Sequence, residues 1–190
     1  MDASIQVFYS PQPDDESDSS ASCEYAKRAS QILSEECRMH VDVEPLSIES
    51  LSNGSDDSDK VSPKCTFVII SCSADGSVNR IVRKILRRLK QAKPDANPAA
   101  SEPSSSEIQA HEFIAIALLG HARCENSANQ MKDTIFNFGR KFHRCVESAS
   151  TKTTVLEKIE VQVELEGPDL PGGFDEWIKK NAVMLAIPKS

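Results

Sequence analysis

Several features that would point directly to a function are missing from this sequence. No stretch is apolar over a membrane-spanning length, and the N-terminus carries neither the basic nor the long apolar segment of a signal peptide. The six cysteines include no C-x-x-C pair and no ligand-like spacing with histidine, which argues against a zinc motif and a disulfide scaffold. No G-x-G-x-x-G motif follows the first predicted strand, which weighs against a nicotinamide site. We therefore expect a cytoplasmic protein with reduced thiols.

Positive charge and aromatic residues are also scarce. The chain has 22 Lys and Arg against 29 Asp and Glu, a formal net charge of -7. Nucleic acids and anionic membranes require a dominant basic face, so neither is expected as the main partner. The 190 residues include only two Tyr and one Trp, but a hydrophobic content of 39% suffices for one well-buried core. We predict a single domain over residues 1–190, with polar insertions at about 11–22, 47–63 and 92–110.

The chain repeats a pattern of strand, polar loop and helix. Apolar runs and period-2 alternation predict strands at 5–10, 40–45, 66–71, 113–119 and 157–165. Helical spacing predicts helices at 23–38, 78–90, 131–146 and 174–185. Alternation of this kind implies a parallel sheet with helices on both faces, because parallel strands need crossover connections. We predict an α/β fold of flavodoxin type, a three-layer sandwich with a five-stranded parallel sheet.

A few side chains receive specific predictions. Ser22 is a candidate N-cap for the first helix, Val183 is expected to face inward on the last helix, and His143 is expected at the surface or its boundary. The helix over 78–90 carries an outward basic face: Arg80, Arg83, Lys84, Arg87, Arg88 and Lys90. Such a face is usually only solvated, and the sharper alternatives are docking of an acidic electron acceptor or of calmodulin.

Four segments resemble one known family, the FMN-binding domain of the NADPH-dependent diflavin reductases. The segments are Phe67 to Gly76, Ala117 to Gly120, Phe136 to Arg144, and Phe174 to Trp177. They are similar, in that order, to the family's strand and flavin loop, its next flavin loop, the helix after it, and the acidic-aromatic closing helix. Within the family, the likeness is greatest to the members that supply electrons to cytosolic iron-sulfur protein assembly.

The resemblance implies an FMN cofactor held by the loops after the first, third and fourth strands. The residues it assigns to that site are Ser10, Ser17, Ser19, Ser20, Ser22, Cys72, Ser73, Ala74, Asp75, Gly76, Gly120, His121, Ala122, Arg123 and Asn126. It implies no catalytic acid or base and no metal ligand. Electrons would come from an NADPH/FAD reductase module, in cis or in trans, and pass to an acidic or iron-sulfur protein. The chain would then be the FMN half of an oxidoreductase.

The loop sequences support other hypotheses as well. The first loop has two prolines and four acidic residues, which remove donors and repel a phosphate, and no aromatic residue follows the fourth predicted strand. These departures favour a degenerate flavodoxin-like domain that binds no flavin and acts as a protein-interaction module. Asp14, Asp15 and Asp75 would suit the Mg²⁺ site of a phosphoacceptor receiver domain. Cys72 and His121, at neighbouring strand ends, would suit an activated thiolate.

Overall fold

Strands and helices alternate along the chain in the computed structural model, which describes residues 5–11, 20–41, 44–51, 65–91, 112–121, 128–149, 153–163 and 173–186. Strands β1 to β6 span Ile5–Ser10, Leu46–Ser47, Cys65–Cys72, Phe113–His121, Thr154–Val155 and Ile159–Val163. Helices α1 to α4 span Ala21–Gln31, Arg80–Gln91, Ala128–Ala149 and Gly173–Ala186. A π-helical turn, Ile32–Glu36, extends α1, and a 3₁₀ turn, Ile48–Leu51, follows β2.

The described strands form one parallel sheet. Its order is β2-β1-β3-β4-β5, and β6 also pairs with β4. The chain runs outward from β1 to β2, then crosses back to β3 on the other side of β1, which is the flavodoxin-type order. All eight residues of the central strand β3 are buried, since helices cover both faces of the sheet. The predicted flavodoxin-like α/β fold is confirmed.

Alternate residues of the central strands supply two hydrophobic cores, one on each face of the sheet. Phe67 of β3 faces α1 and α4, whereas its neighbour Val68 faces α2 and α3. On the first face, the Trp177 ring lies 5.8 Å from Phe67 and 5.9 Å from Phe174, measured between ring centroids. The indole N–H of Trp177 also donates to the carbonyl of Glu157 at 2.6 Å. Helix α4 is therefore fixed to the sheet by aromatic packing and by a hydrogen bond.

Helix α1 begins earlier and ends differently from the prediction. The N-cap is Ser20 rather than Ser22: Ser20 has extended backbone angles, and its hydroxyl accepts from the N–H of Cys23 at 3.4 Å. Ser22 is already helical, so it cannot serve as the cap. Regular α-helix gives way to the π-helical turn, and the segment closes at Arg38, whose φ of 54° is left-handed.

The second strand is displaced from its predicted position. Strand β2 follows Pro45, whereas the prediction ended the strand there. Within the predicted segment 40–45, the carbonyl of His40 accepts the N–H of Ile5 at 3.1 Å, and Val41 forms a parallel bridge with Ile5. The segment therefore runs along β1 without forming a continuous ladder. Residues 42–43 lie outside the described part.

The fifth strand is divided into two pieces that both pair with β4. β5 pairs with the first two residues of β4, and β6 with the last five. The predicted strand at 157–165 corresponds to β6, in which Val161 is buried and Gln162 is exposed, as the alternation indicated. Residues 164–165 lie outside the described part. β5 was not predicted, since two residues give no periodic signal.

The helical faces match most of the predictions. Helix α2 begins at Arg80, two residues later than predicted; Val82, Ile85, Leu86 and Leu89 form its buried stripe, and the six basic residues are exposed. On α4, Trp177 and Ile178 face inward, but Val183 is 62% exposed because Ala182 takes the inner position. His143 of α3 is buried and not at the surface, with Nδ1 3.3 Å from the carboxylate of Glu147. None of the described helices combines the length and apolarity needed to cross a membrane.

Candidate functional site

Three strand ends meet at the carboxyl edge of the sheet. Ser10, the last residue of β1, is in register with Ile70, and Cys72, the last residue of β3, is in register with Gly120 of β4. The helices that follow β1 and β3 lie on opposite faces. The chain therefore leaves these two neighbouring strands toward opposite faces of the sheet, so the order of the strands reverses at this point. Ligands of open α/β sheets bind at such positions.

Buried serines surround the start of α1 at this edge. Ser10 is fully buried, and its hydroxyl donates to the carbonyl of Pro11 at 3.4 Å. The hydroxyls of Ser20 and Ser22 lie 3.2 Å apart, and both residues are buried, with 2% and 0% exposure. The first N–H groups of a helix have no intrahelical acceptor and carry partial positive charge. Hydroxyls and N–H groups together make this helix start suitable for an anion.

The loop after β3 is a tight turn closed by its own hydrogen bonds. The N–H of Ser73 donates to the carbonyl of Ser77 at 2.9 Å, and the N–H of Gly76 donates to the carbonyl of Ser73 at 2.8 Å. The carboxylate of Asp75 accepts the N–H of Ser77 at 2.8 Å. Hydrogen bonds from Ser77 lower the pKa of Asp75, which keeps this carboxylate ionised. Among the described residues, the N–H of Ala74 at the tip has no partner and remains available to a ligand.

Gly76 fixes this loop against helix α3. Its φ is 78°, and a Cβ at this position would collide with the backbone carbonyl of Thr134. The left-handed angle and the close approach both require glycine. The loop is thus held by contact with the helix that follows β4.

The end of β4 is more buried than predicted. Gly120 and His121 were assigned to a loop, but they are the last two residues of the strand. A Cβ on Gly120 would lie 2.6 Å from the ring of Phe136 and 2.7 Å from Ile135, so α3 packs directly on this residue. His121 is 8% exposed, with Nε2 3.3 Å from the hydroxyl of Ser71. Its ring is therefore buried beside the neighbouring strand β3.

The structure brings together part of the predicted site. Residues that lie at the carboxyl edge as expected are Ser10, Ser20, Ser22, Ser73, Ala74, Asp75 and Gly76. Cys72, Gly120 and His121 lie there too, but as buried strand residues. Residues outside the described part are Ser17, Ser19, Ala122, Arg123 and Asn126. Ser71, the last residue of the third predicted strand, was not assigned to the site; it is the buried partner of His121, and a serine at the end of an apolar run was the available signal.

The geometry rejects the cysteine nucleophile. Cys72 is fully buried in the core beside α2 and α3, and burial, with a smaller effect of Glu160, raises the pKa of its thiol to about 12. A thiol with this pKa stays protonated at neutral pH. Cys72 shares a face with Gly120, so His121, one residue further along β4, lies on the opposite face. The two side chains cannot form a catalytic pair.

The described residues also give no support to a receiver-type Mg²⁺ site. Asp75 is exposed, and its carboxylate already accepts the N–H of Ser77. Asp14 and Asp15 lie outside the described part. Within the described ranges, no group of three or more His, Cys, Asp or Glu side chains is placed to hold a metal ion.

The fold matches those of flavodoxins. A short-chain flavodoxin associated with a PDU bacterial microcompartment superposes with a TM-score of 0.53 at 14% identity, over 96% of this chain and 99% of its own. The flavodoxin of Fusobacterium nucleatum bound to flavin mononucleotide gives 0.53 at 9% identity, over 96% of each chain. A cysteine-to-serine mutant of the Pseudomonas aeruginosa flavodoxin gives 0.52 at 10% identity, over 96% and 98%.

These similarities define the class of fold. The chain has a flavodoxin-like fold, and it spans nearly the whole length of these flavodoxins. No protein-family model and no curated protein sequence matches it. The site itself must therefore carry any argument about function.

Proposed function

We propose that this chain is an FMN-binding electron-transfer domain. The observation that carries the proposal is the pair of buried hydroxyls, Ser20 and Ser22, at the start of the helix that follows β1 in a flavodoxin-like sheet. A phosphate dianion is bound best by hydroxyls and backbone N–H groups at a helix N-terminus. A structural neighbour with a similar fold is a flavodoxin bound to flavin mononucleotide, which supports the choice of cofactor.

The turn after β3 supplies the second half of the site. Gly76 fixes the turn against Thr134, so the free N–H of Ala74 is held in place before a ligand arrives. A backbone N–H at this position would hydrogen-bond to the edge of a flavin ring. When bound, FMN supplies the electron-transfer chemistry, while the chain orients the ring and adjusts its potential by hydrogen bonding and burial.

The proposal extends to a diflavin reductase. In this arrangement, an NADPH/FAD module in cis or in trans provides electrons, and an acidic or iron-sulfur protein such as an iron-sulfur assembly factor receives them. The support is the resemblance of Phe67 to Gly76 and of Phe174 to Trp177 to the family's flavin loop and closing helix. The aromatic residues of that segment, Phe174 and Trp177, pack in the core of this chain.

Titration with two flavins tests the phosphate site directly. FMN and riboflavin differ only in the phosphate, so quenching of their fluorescence by the purified chain separates phosphate contacts from ring contacts. We expect micromolar binding of FMN and at least 10-fold weaker binding of riboflavin. Ser22→Ala should weaken FMN binding about 10-fold, which corresponds to the loss of one charge-assisted hydrogen bond, and it should leave the affinity for riboflavin unchanged.

Ser30→Ala is the matched control for Ser22→Ala. Ser30 is also a buried serine on α1, and its hydroxyl has no hydrogen-bond partner in the part of the chain that the structure describes. This variant should bind FMN as the wild type does. Equal effects of Ser22→Ala and Ser30→Ala would contradict a phosphate site at the start of α1.

A second candidate function is a flavodoxin-like interaction module that binds no flavin. It is favoured by the absence of aromatic residues from the segments 73–79 and 122–127, and by the burial of the His121 ring beside the hydroxyl of Ser71, which disfavours stacking of this ring on a flavin. The same titration decides between the candidates. No binding of FMN at millimolar concentration would leave the interaction module as the function.

A further inference from the structure

Helix α2 presents an exposed basic face that the proposed flavin site does not use. We define the basic face as Arg80, Arg83, Lys84, Arg87, Arg88 and Lys90, all of them exposed. It holds six of the 22 Lys and Arg residues of the chain, which leaves 16 against 29 Asp and Glu elsewhere. Positive charge is therefore concentrated on one helix of an acidic protein.

The basic face is continuous and separate from the buried side of α2. At 3.6 residues per turn, its six side chains fall within an arc of about 160°, and 1.5 Å per residue gives it a length of about 15 Å. The opposite arc holds Val82, Ile85, Leu86 and Leu89, each at most 4% exposed. Packing of the apolar side against the sheet thus fixes the direction in which the basic face points.

The cations of the basic face lack the acidic partners that several other cations of the described chain have. Elsewhere Arg28 pairs with Asp175 at 2.6 Å, and Arg140 with Glu160 at 2.7 Å. None of the six α2 residues pairs with a carboxylate of the described chain, and α2 has no acid in its first turn. Side chains three and four positions apart on this face repel one another. A partner with negative charge would relieve that repulsion.

We propose that the basic face is the docking surface for an acidic protein partner, whose carboxylates are spaced one helical turn apart. Charge complementarity over the arc of the six residues identifies the occupant: each turn of α2 presents one or two cations, at intervals of about 5.4 Å. A nucleic acid fits less well, because its phosphate backbone extends past a face of about 15 Å, and outside that face the chain has 16 Lys and Arg against 29 Asp and Glu.

The position of the basic face relates it to the carboxyl edge of the sheet. Arg80 is the first residue of α2, directly after the turn that holds Ala74 and Gly76. An acidic protein docked on the basic face therefore lies beside the loop that follows β3. The inference does not depend on flavin binding, because the six residues belong to none of the groups assigned to the flavin.

A designed acidic peptide tests the inference. The probe is a fluorescein-labelled helical peptide of about 14 residues with Glu at every third or fourth position, a spacing that places them on one face. Its control has Gln at each of those positions. Fluorescence anisotropy at 50 mM NaCl should show the Glu peptide binding at least 10-fold more tightly than the Gln peptide, and binding should weaken steeply by 300 mM NaCl.

Two charge-reversal variants locate the binding. The double variant Lys84→Glu, Arg87→Glu reverses the charge at two positions of the basic face and should weaken binding of the Glu peptide more than 10-fold. Lys141→Glu with Arg144→Glu changes the same residue types at the same spacing on the exposed side of α3, and should change binding less than 2-fold. Circular dichroism confirms that both variants fold.

Three results would overturn the inference. One is equal weakening by the two double variants, which would mean a response to net charge alone. Another is absence of binding by the wild type at 50 mM NaCl. The third is tighter binding of a 20-base-pair DNA duplex than of the Glu peptide, which would make nucleic acid the occupant. Each result is independent of the flavin titration.

Discussion

Gly76 is the residue at which backbone geometry constrains the candidate site most strongly. Alanine at this position would keep a left-handed φ of 78° and would place its Cβ against the carbonyl of Thr134. We expect Gly76→Ala to reduce the free energy of unfolding by at least about 2 kcal/mol, from backbone strain and overpacking combined. Urea denaturation measures this change.

Gly173→Ala is the control for Gly76→Ala. Its nearest contact would be Ile159 at 3.9 Å, an ordinary distance, and the position lies at the start of α4. This variant should be as stable as the wild type, or slightly more stable because alanine is the better helix former. Equal losses at the two glycines would show that the Thr134 contact has no special role.

Glu160 should contribute a pH-dependent part of the stability. The guanidinium of Arg140 donates to both carboxylate oxygens, at 2.8 and 2.7 Å, and lowers the pKa of Glu160 below its ordinary 4.5. A carboxylate whose pKa is lower in the folded protein than in the unfolded chain stabilises the fold at pH values above its pKa in the unfolded chain. This stabilisation is lost as the pH falls through its pKa in the folded protein. Glu160→Gln should therefore lose about 1 kcal/mol at pH 7, a value limited by solvent screening.

The difference between Glu160→Gln and the wild type should shrink below pH 4.5 and vanish at lower pH. Urea denaturation at a series of pH values measures it. Glu157→Gln is the control: this carboxylate pairs with Lys180 while both side chains are about two-thirds exposed, so no measurable change is expected. A difference for Glu160→Gln that stays constant with pH would contradict the linkage.

The sequence identified the loops of the candidate site better than it identified the directions of single side chains. The turn around Gly76 was recognisable because an aspartate followed by a glycine, shortly after a strand, predicts a turn. Cys72 and His121 looked like a pair because both follow apolar runs. In a strand, however, neighbouring residues face opposite ways, and strand β4 continues two residues beyond its predicted end. Because the predicted strand ended two residues too early, Gly120 and His121 were predicted as loop residues, although they are buried residues of β4.

Helix α2 combines strong packing on one side with repulsion on the other. Lys84 has arginines three or four positions away at 80, 87 and 88, so Lys84→Glu exchanges three repulsive pairs for three attractive ones. We expect this variant to be more stable than the wild type by about 0.5–1 kcal/mol at low salt. The gain should disappear at 0.5 M NaCl, where surface charges are screened.

Urea denaturation of Lys84→Glu at two salt concentrations provides the measurement, and Lys84→Gln provides a control with a smaller gain. A loss of stability, or a gain that does not respond to salt, would contradict the electrostatic account of α2. If Lys84→Glu is more stable but binds the acidic peptide less well, then the basic face is retained at the expense of stability, as is common at binding surfaces.

Elements with long periodic patterns were predictable, and those at the edges of the sheet were not. β3 and α2 have strong signals because β3 is buried on both faces and α2 has a wide apolar stripe. β2 and β5 have only two residues each. Such short elements are defined by pairing with a neighbour, and no local pattern reports that pairing. The same applies to the cap of α1, where several serines were available and backbone geometry selected Ser20.

The architecture of the whole chain followed from the alternation of strands and helices. Parallel strands require crossovers, and the handedness and order of those crossovers restrict the possible topologies to a few. The separation into two cores was also implied, since consecutive residues of β3 and β4 are apolar, and consecutive residues of a strand face opposite sides of the sheet. The function was less predictable, because the cofactor depends on a few groups at the loop ends.

The edges of the sheet bear on aggregation. At one edge the described strand β2 has two residues preceded by Pro45, which cannot donate a ladder hydrogen bond. At the other edge, β5 is equally short, and the longer β6 carries the charged side chain of Glu160. Short, charged or proline-flanked edges resist the addition of a strand from another chain. In the folded state, partners are thereby directed to the helices and loops, and two molecules do not readily join their sheets edge to edge.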